Sequence, residues 1–367
     1  MKIGILTFHN SRNYGAVLQA YGLRTVLENM GHKVEVVDYR NPYLEKDKHP
    51  FSFSSFKANP VIYVRRLFCN YINYRRKVRN FETFGKKFLN VTTHRFTPED
   101  IKHSDYEVLI VGSDQVWNPS LTGGPDSVYW GKFKPQNARM ITYAASSGEI
   151  TLLKTEDFRD IDKWLERFDA ISVREERLKS FVDSHSKIES TVVVDPTILA
   201  GRNIFEHIAF PRIIKERYVL VYSVEGLNMV IPHAKKIAEL YRAKIIRTGS
   251  SGLSAIYQDL KNNITYKNAN VQEMLSLIKY AECVIALSFH GTALSLLFEK
   301  DFYSIKGNNM ARVESILKKC NLTDRIIEVS DDLSLKNIDY SDVRPVLINL
   351  SEDSKKWLTM SLESVVK

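Results

Sequence analysis

The sequence predicts an α/β protein of two doubly wound halves, each built on a mainly parallel sheet, and two observations carry that reading. Short β-branched runs alternate with longer helical patterns along most of the chain, the signature of βαβ units. The alternation pauses after Asp195-Pro196 and restarts at Tyr218. The 367 residues suffice for two domains at about 150 residues each. Two such halves facing each other enclose a cleft, and open parallel sheets bind ligands outside the carboxyl ends of their strands.

In the first half the strand runs are KIGILTF (2–8), KVEVVDY (33–39), YEVLIVGS (106–113), ARMITYAAS (138–146), AISVRE (170–175) and TVVVDPT (191–197). Helical patterns cover 16–30, 155–167 and 175–184. Residues 40–95 interrupt the rhythm between the second and third strands and read as an insertion, so the first domain is expected over 1–200 with an insertion at 40–95. The polar stretch ILAGRNIFEHIAFPR (198–212) reads as a linker. In the second domain, expected over 201–345, the strands are YVLVYSV (218–224), AKIIRTG (243–249), NITYK (263–267), CVIALS (283–288) and DFYSIK (301–306), with helices near 230–242, 271–281, 291–299 and 311–319. The remainder, 346–367, holds LSEDSKKWLTMSLESV (350–365), an amphipathic helix with Ser351 as its N-cap and Trp357, Leu358 and Leu362 apolar, able to cross back onto the first domain.

Composition bounds the function. Hydrophobic residues make up 44% and charged ones 26%, which excludes a collagenous, mucin-like or wholly disordered chain. Cys69, Cys283 and Cys320 lie far apart with no CxxC pair, so neither a disulfide framework nor a cysteine zinc site is encoded, and a cytoplasmic location is expected. The opening MKIGILTFHNSRNYG lacks the apolar stretch and cleavage site of a signal peptide, and no run reaches membrane-spanning length. The net charge of +9 is concentrated between Lys57 and Arg95, where ten bases meet one acid, Glu82, while the rest of the chain is balanced. Aromatic residues such as Phe56, Tyr63, Phe68, Tyr71, Tyr74, Phe81, Phe84 and Phe88 are interleaved with those bases. Such a mixture suits nucleic acid or an anionic membrane face. The spacing of Val61, Val64, Phe68, Tyr71, Val78 and Phe81 equally suits a helix that docks on the main domain and leaves a basic side in solvent.

Junctions where strands pass into helices are the places to look for chemistry. In VIALSFHGTALSLLF (284–298) a buried strand ends at Ser288, and Phe289, His290 and Gly291 open an apolar helix. Gly291 allows close backbone approach, the helix N-terminus attracts an anion, and His290 can donate to that anion or move a proton; a helix-capping histidine is the competing reading. In LIVGSDQVWNP (109–119), Asp114 either accepts a hydroxyl proton or caps a turn, with Gln115 beside it, and Trp117 and Asn118 either meet a ligand or anchor the loop. The junction HNSRNYGAVLQAYGL (9–23) lacks a dinucleotide fingerprint; its amides and asparagines, Asn10 and Asn13 beside Tyr14 and Gly15, suit the hydroxyls of a sugar. Arg174 ends a strand and either clamps a carboxylate or phosphate or pairs with Glu175 or Glu176. Arg312 lies near the start of a helix, where an anionic partner or plain exposure accounts for a base. No metal motif, nucleophile elbow or phosphate-binding P-loop is present in the sequence.

Taken together, GILTFHNSRNYGAVLQAYGL, VGSDQVWNP, ITYAASSG, FDAISVREE, VVVDPT and SFHGTALSLLFEKDFYSI resemble, in order and spacing, the polysaccharide pyruvyl transferase family, from about residue 3 to about residue 327. The resemblance implies two Rossmann-like domains arranged as in GT-B glycosyltransferases, and transfer of a pyruvyl group from phosphoenolpyruvate, the co-substrate, to a sugar of a cell-surface polysaccharide precursor as a cyclic ketal. No further cofactor or metal is implied. It makes His290 the histidine of the donor site and Arg174 a donor-binding arginine, with Ser288, Phe289 and Gly291 around them. Arg312 falls where a basic residue follows the histidine. Some members carry an arginine two residues before that histidine, where this chain has Ser288, so that contact is missing or comes from Arg312 or Lys306. Asp114 joins His290 as a proton-transfer candidate, and Asn10, Asn13, Tyr14, Gly15, Gln115, Trp117 and Asn118 are candidates for holding a nucleotide- or lipid-linked acceptor. Residues 57–95 then become a candidate for peripheral contact with the inner membrane leaflet. The rivals are a GT-B-type glycosyltransferase using a nucleotide sugar and an inactive saccharide-binding member; a nucleic-acid-binding module leaves the junction residues unexplained.

Overall fold

The computed structural model describes residues 1–46, 60–148, 160–222, 227–248, 263–266, 268–307, 310–328 and 337–363. Lys57, residues 155–159 of the helix expected over 155–167, and the last residues of the strands expected over 218–224, 243–249 and 263–267 lie outside them. The chain divides into two compact units, one of Met1–Lys48, Phe84–Ile204 and Pro345–Lys367, the other of His49–Thr83 and Phe205–Arg344. The segment read as an insertion is therefore shared, because the helix Pro60–Phe88 runs from one grouping into the other.

In the first unit β1 (Lys2–Leu6), β2 (Lys33–Val36), β3 (Val108–Val111) and β4 (Arg139–Thr142) form a parallel sheet in the order β2-β1-β3-β4. The pair β5 (Ser172–Val173) and β6 (Thr191–Val192) continues it through bridges from Ile141 to Ala170 and from Ala145 to Val173. Strands buried on both faces read as unbroken apolar runs, and β3, Val-Leu-Ile-Val, is buried throughout. The order reverses between β1 and β3. The helix Tyr14–Asn29 follows β1 and begins where Asn13 Oδ1 accepts from the Gly15 amide at 2.9 Å.

The second unit holds β7 (Tyr218–Tyr222), β8 (Lys244–Thr248), β9 (Ile264–Tyr266), β10 (Cys283–Ala286), β11 (Asp301–Ile305) and β12 (Ile326–Ile327), all parallel, in the order β12-β11-β10-β7-β8-β9. Its reversal lies between β7 and β10, whose Val219, Val221 and Ile285 pack with Val230 and Ile237 of the helix Leu227–Tyr241.

Three sequence expectations change. The stretch read as a linker is instead helical over Pro196–Ile208: Asp195 Oδ1 accepts from Thr197 N at 2.8 Å, proline suits the first helical position, and Phe205 and Ile208 are buried. Gly201, at φ 72°, interrupts this helix. The last helix runs over Tyr340–Glu363, so Ser351 lies within it and donates to the Leu199 carbonyl at 2.9 Å rather than capping. From Pro345 onward this helix belongs to the first unit, where Ser354 Oγ accepts from Val194 N at 3.0 Å and Trp357 meets Tyr143. Finally, β12 was not among the expected strands; two residues are too few to make a pattern. Among the described residues no helix is long and apolar enough to cross a membrane.

The helix Phe289–Leu297 lies tight on its sheet. A Cβ at Gly291 would come within 2.7 Å of the Tyr222 ring and 2.9 Å of the Ala286 methyl. Gly291→Ala is expected to cost about 1–3 kcal/mol by overpacking, read as a lower midpoint in thermal unfolding; an unchanged midpoint would show that the helix can lift away freely.

Candidate functional sites

In the second unit the fully buried strand β10 ends at Ala286, and the chain turns through Ser288, whose extended backbone and side chain cap the following helix. Ser288 Oγ accepts from Gly291 N at 3.2 Å. His290, 7% exposed, sits in the first turn with the Phe289 ring edge-on at 5.3 Å, and the Arg312 guanidinium lies 5.9 Å from the Phe289 centroid. Ser288, Phe289, His290, Gly291 and Arg312 are thus brought together beside the strand-order reversal. A capped helix N-terminus with an imidazole and a guanidinium is a setting for an anion. Lys306 follows β11, and its ammonium pairs with Glu328 at 2.7 Å, both side chains being exposed.

In the first unit a cavity of about 320 Å³ opens at the carboxyl ends of β1 and β3, where that sheet reverses. Of the residues expected there, Asn10, Asn13, Asp114 and Gln115 line it, together with Phe8, His9, Arg12, Tyr39, Arg40 and Tyr129. Asp114 stands at φ 72°, and its Oδ1 accepts from the Gln115 amide at 2.9 Å. Tyr14 and Gly15 are buried in the first turn of their helix and do not line the cavity. Trp117 is in the core, donating to the Tyr129 carbonyl at 2.8 Å and stacking on Trp130, and Asn118 caps Pro119–Thr122 while bonding Gln115 at 2.7 Å. These two build the loop that presents Asp114 and Gln115.

Sequence reasoning missed the charged group in the cavity. Asp38 accepts from His9 Nε2 at 2.9 Å and from Arg40 at 2.7 and 2.8 Å, one oxygen to each nitrogen of the fork. Burial works to raise the Asp38 carboxyl's pKa, but the hydrogen bonds and charges of His9 and Arg40 outweigh it and hold it well below the ordinary value. The available signal was positional: His9 follows the first apolar run and Asp38 and Arg40 close the second. Tyr39 and Asn41, between and after them, are fixed by buried Asp126 at 2.9 and 2.6 Å. Among the described residues no group of three or more His, Cys, Asp or Glu could hold a metal ion.

Arg174, 5% exposed, follows β5 in the first unit and is not among the residues that line the cavity. Its Nη2 lies 2.8 Å from Asp195 Oδ2 and donates to Ser113 Oγ, so its carboxylate partner comes from the end of β6 rather than from neighbouring Glu175, which accepts from Ser146.

A family model, polysaccharide pyruvyl transferase, matches residues 13–309, which include Asn13, Asp114 and Gln115 of the cavity and Ser288 to Gly291 of the second cluster. The chain belongs to the polysaccharide pyruvyl transferase family. That membership makes it a transferase of polysaccharide biosynthesis and implies phosphoenolpyruvate as co-substrate. No curated protein matches the chain. Among solved structures, the S. aureus MnaA–UDP co-structure is 10% identical with a TM-score of 0.51, over 99% of this chain and 91% of that one. A putative UDP-N-acetylglucosamine 2-epimerase from Listeria monocytogenes gives the same values: 10% identity, TM-score 0.51, and 99% and 91% coverage. At such identity the likeness is one of fold, an α/β protein with two parallel sheets of the GT-B type.

For this pyruvyl transferase family member, the His9–Asp38–Arg40 group predicts an acid-sensitive share of stability. A carboxyl whose folded pKa lies below its unfolded value of about 3.9 stabilises fully above that value, and the contribution declines below it and is lost as pH falls through the folded pKa. Asp38→Asn is expected to lower stability at neutral pH by about 2 kcal/mol, with the gap from the parent protein closing as pH drops below about 4. Denaturant titrations at several pH values check this; a gap independent of pH would contradict it.

Proposed function

We propose that this protein transfers the pyruvyl group of phosphoenolpyruvate to two hydroxyls of one sugar as a cyclic ketal, releasing phosphate, with the donor held in the second unit and the acceptor in the first. The observation that carries the reading is the grouping of His290, Phe289 and Arg312 at the capped helix that follows β10, in a chain of this family.

The donor is a trianion at most, and it needs cationic and N–H partners that are already oriented when charge moves. Arg312 and the helix N-terminus supply them for the phosphate or carboxylate, and His290 adds a group that can pass a proton. Arg174 is already engaged by Asp195 and Ser113, so a donor anion reaching it has to share or displace Asp195. The reading therefore gives the principal clamp to Arg312 and fills with it the position left by Ser288. Chemically, the methylene carbon of phosphoenolpyruvate gains a proton, C2 becomes electrophilic, and one acceptor hydroxyl oxygen bonds to C2 and loses its proton. A second hydroxyl then bonds to C2, phosphate leaves with its bridging oxygen, and the second hydroxyl's proton ends on phosphate. His290 and Asp114 are the candidates for these transfers.

The acceptor side rests on the cavity's chemistry. Asn10, Asn13 and Gln115 offer amides, Asp114 a carboxylate, and Phe8, Tyr39 and Tyr129 aromatic surface, a mixture suited to a polyhydroxylated ring. A nucleotide- or lipid-linked saccharide is the expected form of acceptor.

Calorimetry with phosphoenolpyruvate tests the donor without knowledge of the acceptor. Saturable binding is expected, weakened about tenfold or more in His290→Ala and Arg312→Ala, since each loses a charge-assisted contact. Binding of nucleotide sugars with none of phosphoenolpyruvate would overturn the proposal in favour of glycosyl transfer.

A further inference from the structure

The helix Pro60–Phe88 carries a feature that neither proposed site uses. At 100° per residue, Tyr71, Arg75, Arg76, Arg79, Glu82, Thr83, Lys86 and Lys87 fall within an arc of about 160°, and every one of them is exposed. The other side of the helix is the packed one: Phe81 and Phe84 are buried, and Phe84 and Phe88 set their rings against Tyr21 at 6.1 and 5.9 Å. The helix end is also fixed by Arg24, which donates to the Phe88 carbonyl at 2.7 Å. The basic row is thus presented by an anchored element.

Five bases and one acid share this row, and among the described residues none of the five is in an ion pair. Elsewhere on the protein bases commonly find acids, as in Lys179–Asp183, Lys187–Glu166, Lys244–Glu216 and Arg344–Glu299. Lys86 and Lys87 complement the carboxyl end of the helix dipole. That account does not reach Arg75, Arg76 and Arg79, which lie further back along the helix, where like charges one to four residues apart repel. Tyr71, 42% exposed, adds an amphipathic ring to the same row, with the Arg75 guanidinium 6.0 Å from its centroid.

We propose that this face, from Tyr71 to Lys87, docks on an anionic lipid bilayer. A bilayer is flat and needs only one row of cations, about 24 Å long here at the helical rise. An interfacial tyrosine suits the headgroup level, and each base near an anionic surface adds attraction. A duplex or single strand is served less well by a single row on one face of one helix, in which Glu82 stands among the bases. The proposal is independent of the chemistry assigned to the two sites.

Co-sedimentation of the full-length protein with phosphatidylcholine vesicles, with and without phosphatidylglycerol, tests it. Binding to the anionic vesicles alone is expected, falling as salt rises. Arg75→Glu with Arg79→Glu leaves three bases against three acids in the row, and should cut the bound fraction about tenfold or more. Circular dichroism and phosphoenolpyruvate calorimetry should be unchanged, which separates this outcome from failure of the donor site. No binding to anionic vesicles at low salt, equal binding to neutral ones, or unchanged binding of the double variant would each overturn the proposal. So would tighter binding to an oligonucleotide that the double variant loses.

Discussion

A guanidinium with almost no access to water must be neutralised where it lies, and that requirement organises the first unit. Arg174, just after β5, meets Asp195, just after β6, and donates to Ser113, just after β3. The Ser113 carbonyl accepts from Thr7, just after β1, whose hydroxyl in turn accepts from Gln19 at 2.9 Å. Four strand ends are therefore tied through one buried polar chain, and the loops that leave them inherit fixed starting points. Asp114 and Gln115 follow Ser113, and Phe8, His9 and Asn10 follow Thr7, so the cavity wall is set from below. Removing one partner of such a pair strands a buried charge, a far larger penalty than the net worth of the pair.

Much of this architecture could be read from the sequence, because parallel strands buried on both faces leave apolar runs such as Val108–Val111 and Cys283–Ala286. The position of His290 was legible for the same reason: it stands in the first turn of the helix that follows such a run, behind Ser288, which caps it. What escaped depended on partners distant in the chain. Arg174 looked toward Glu175 and Glu176 in sequence, whereas its carboxylate comes from Asp195. The His9–Asp38 contact joins two strand ends 29 residues apart, and no local pattern announces it. The helix Pro196–Ile208 was hidden by Gly201 and a polar composition, although Asp195-Pro196 is itself a helix start signal. Trp117 and Asn118 were noticed, but their chemistry is spent inside the fold.

The two clusters differ in kind. Around His290 the groups are an imidazole, a guanidinium and a helix N-terminus, all suited to negative charge. In the first unit's cavity Arg40 and His9 already serve Asp38, and Arg12, amides, the carboxylates of Glu45 and Asp114 and aromatic rings share the lining. A site of the second kind discriminates by hydrogen-bond geometry, where a misplaced hydroxyl leaves a polar group unmatched.

The first unit is also discontinuous, and that has a consequence in time. Its piece from Pro345 onward joins two earlier ones, and Ser354 bonds to Val194, 160 positions away in the chain. On a ribosome adding about 5–20 residues each second, Val194 and Tyr143 are made on the order of ten seconds before the helix that covers them. Throughout that interval a patch of nascent interior stays open to water and to other chains, and the first unit is left incomplete until the helix Tyr340–Glu363 docks on it.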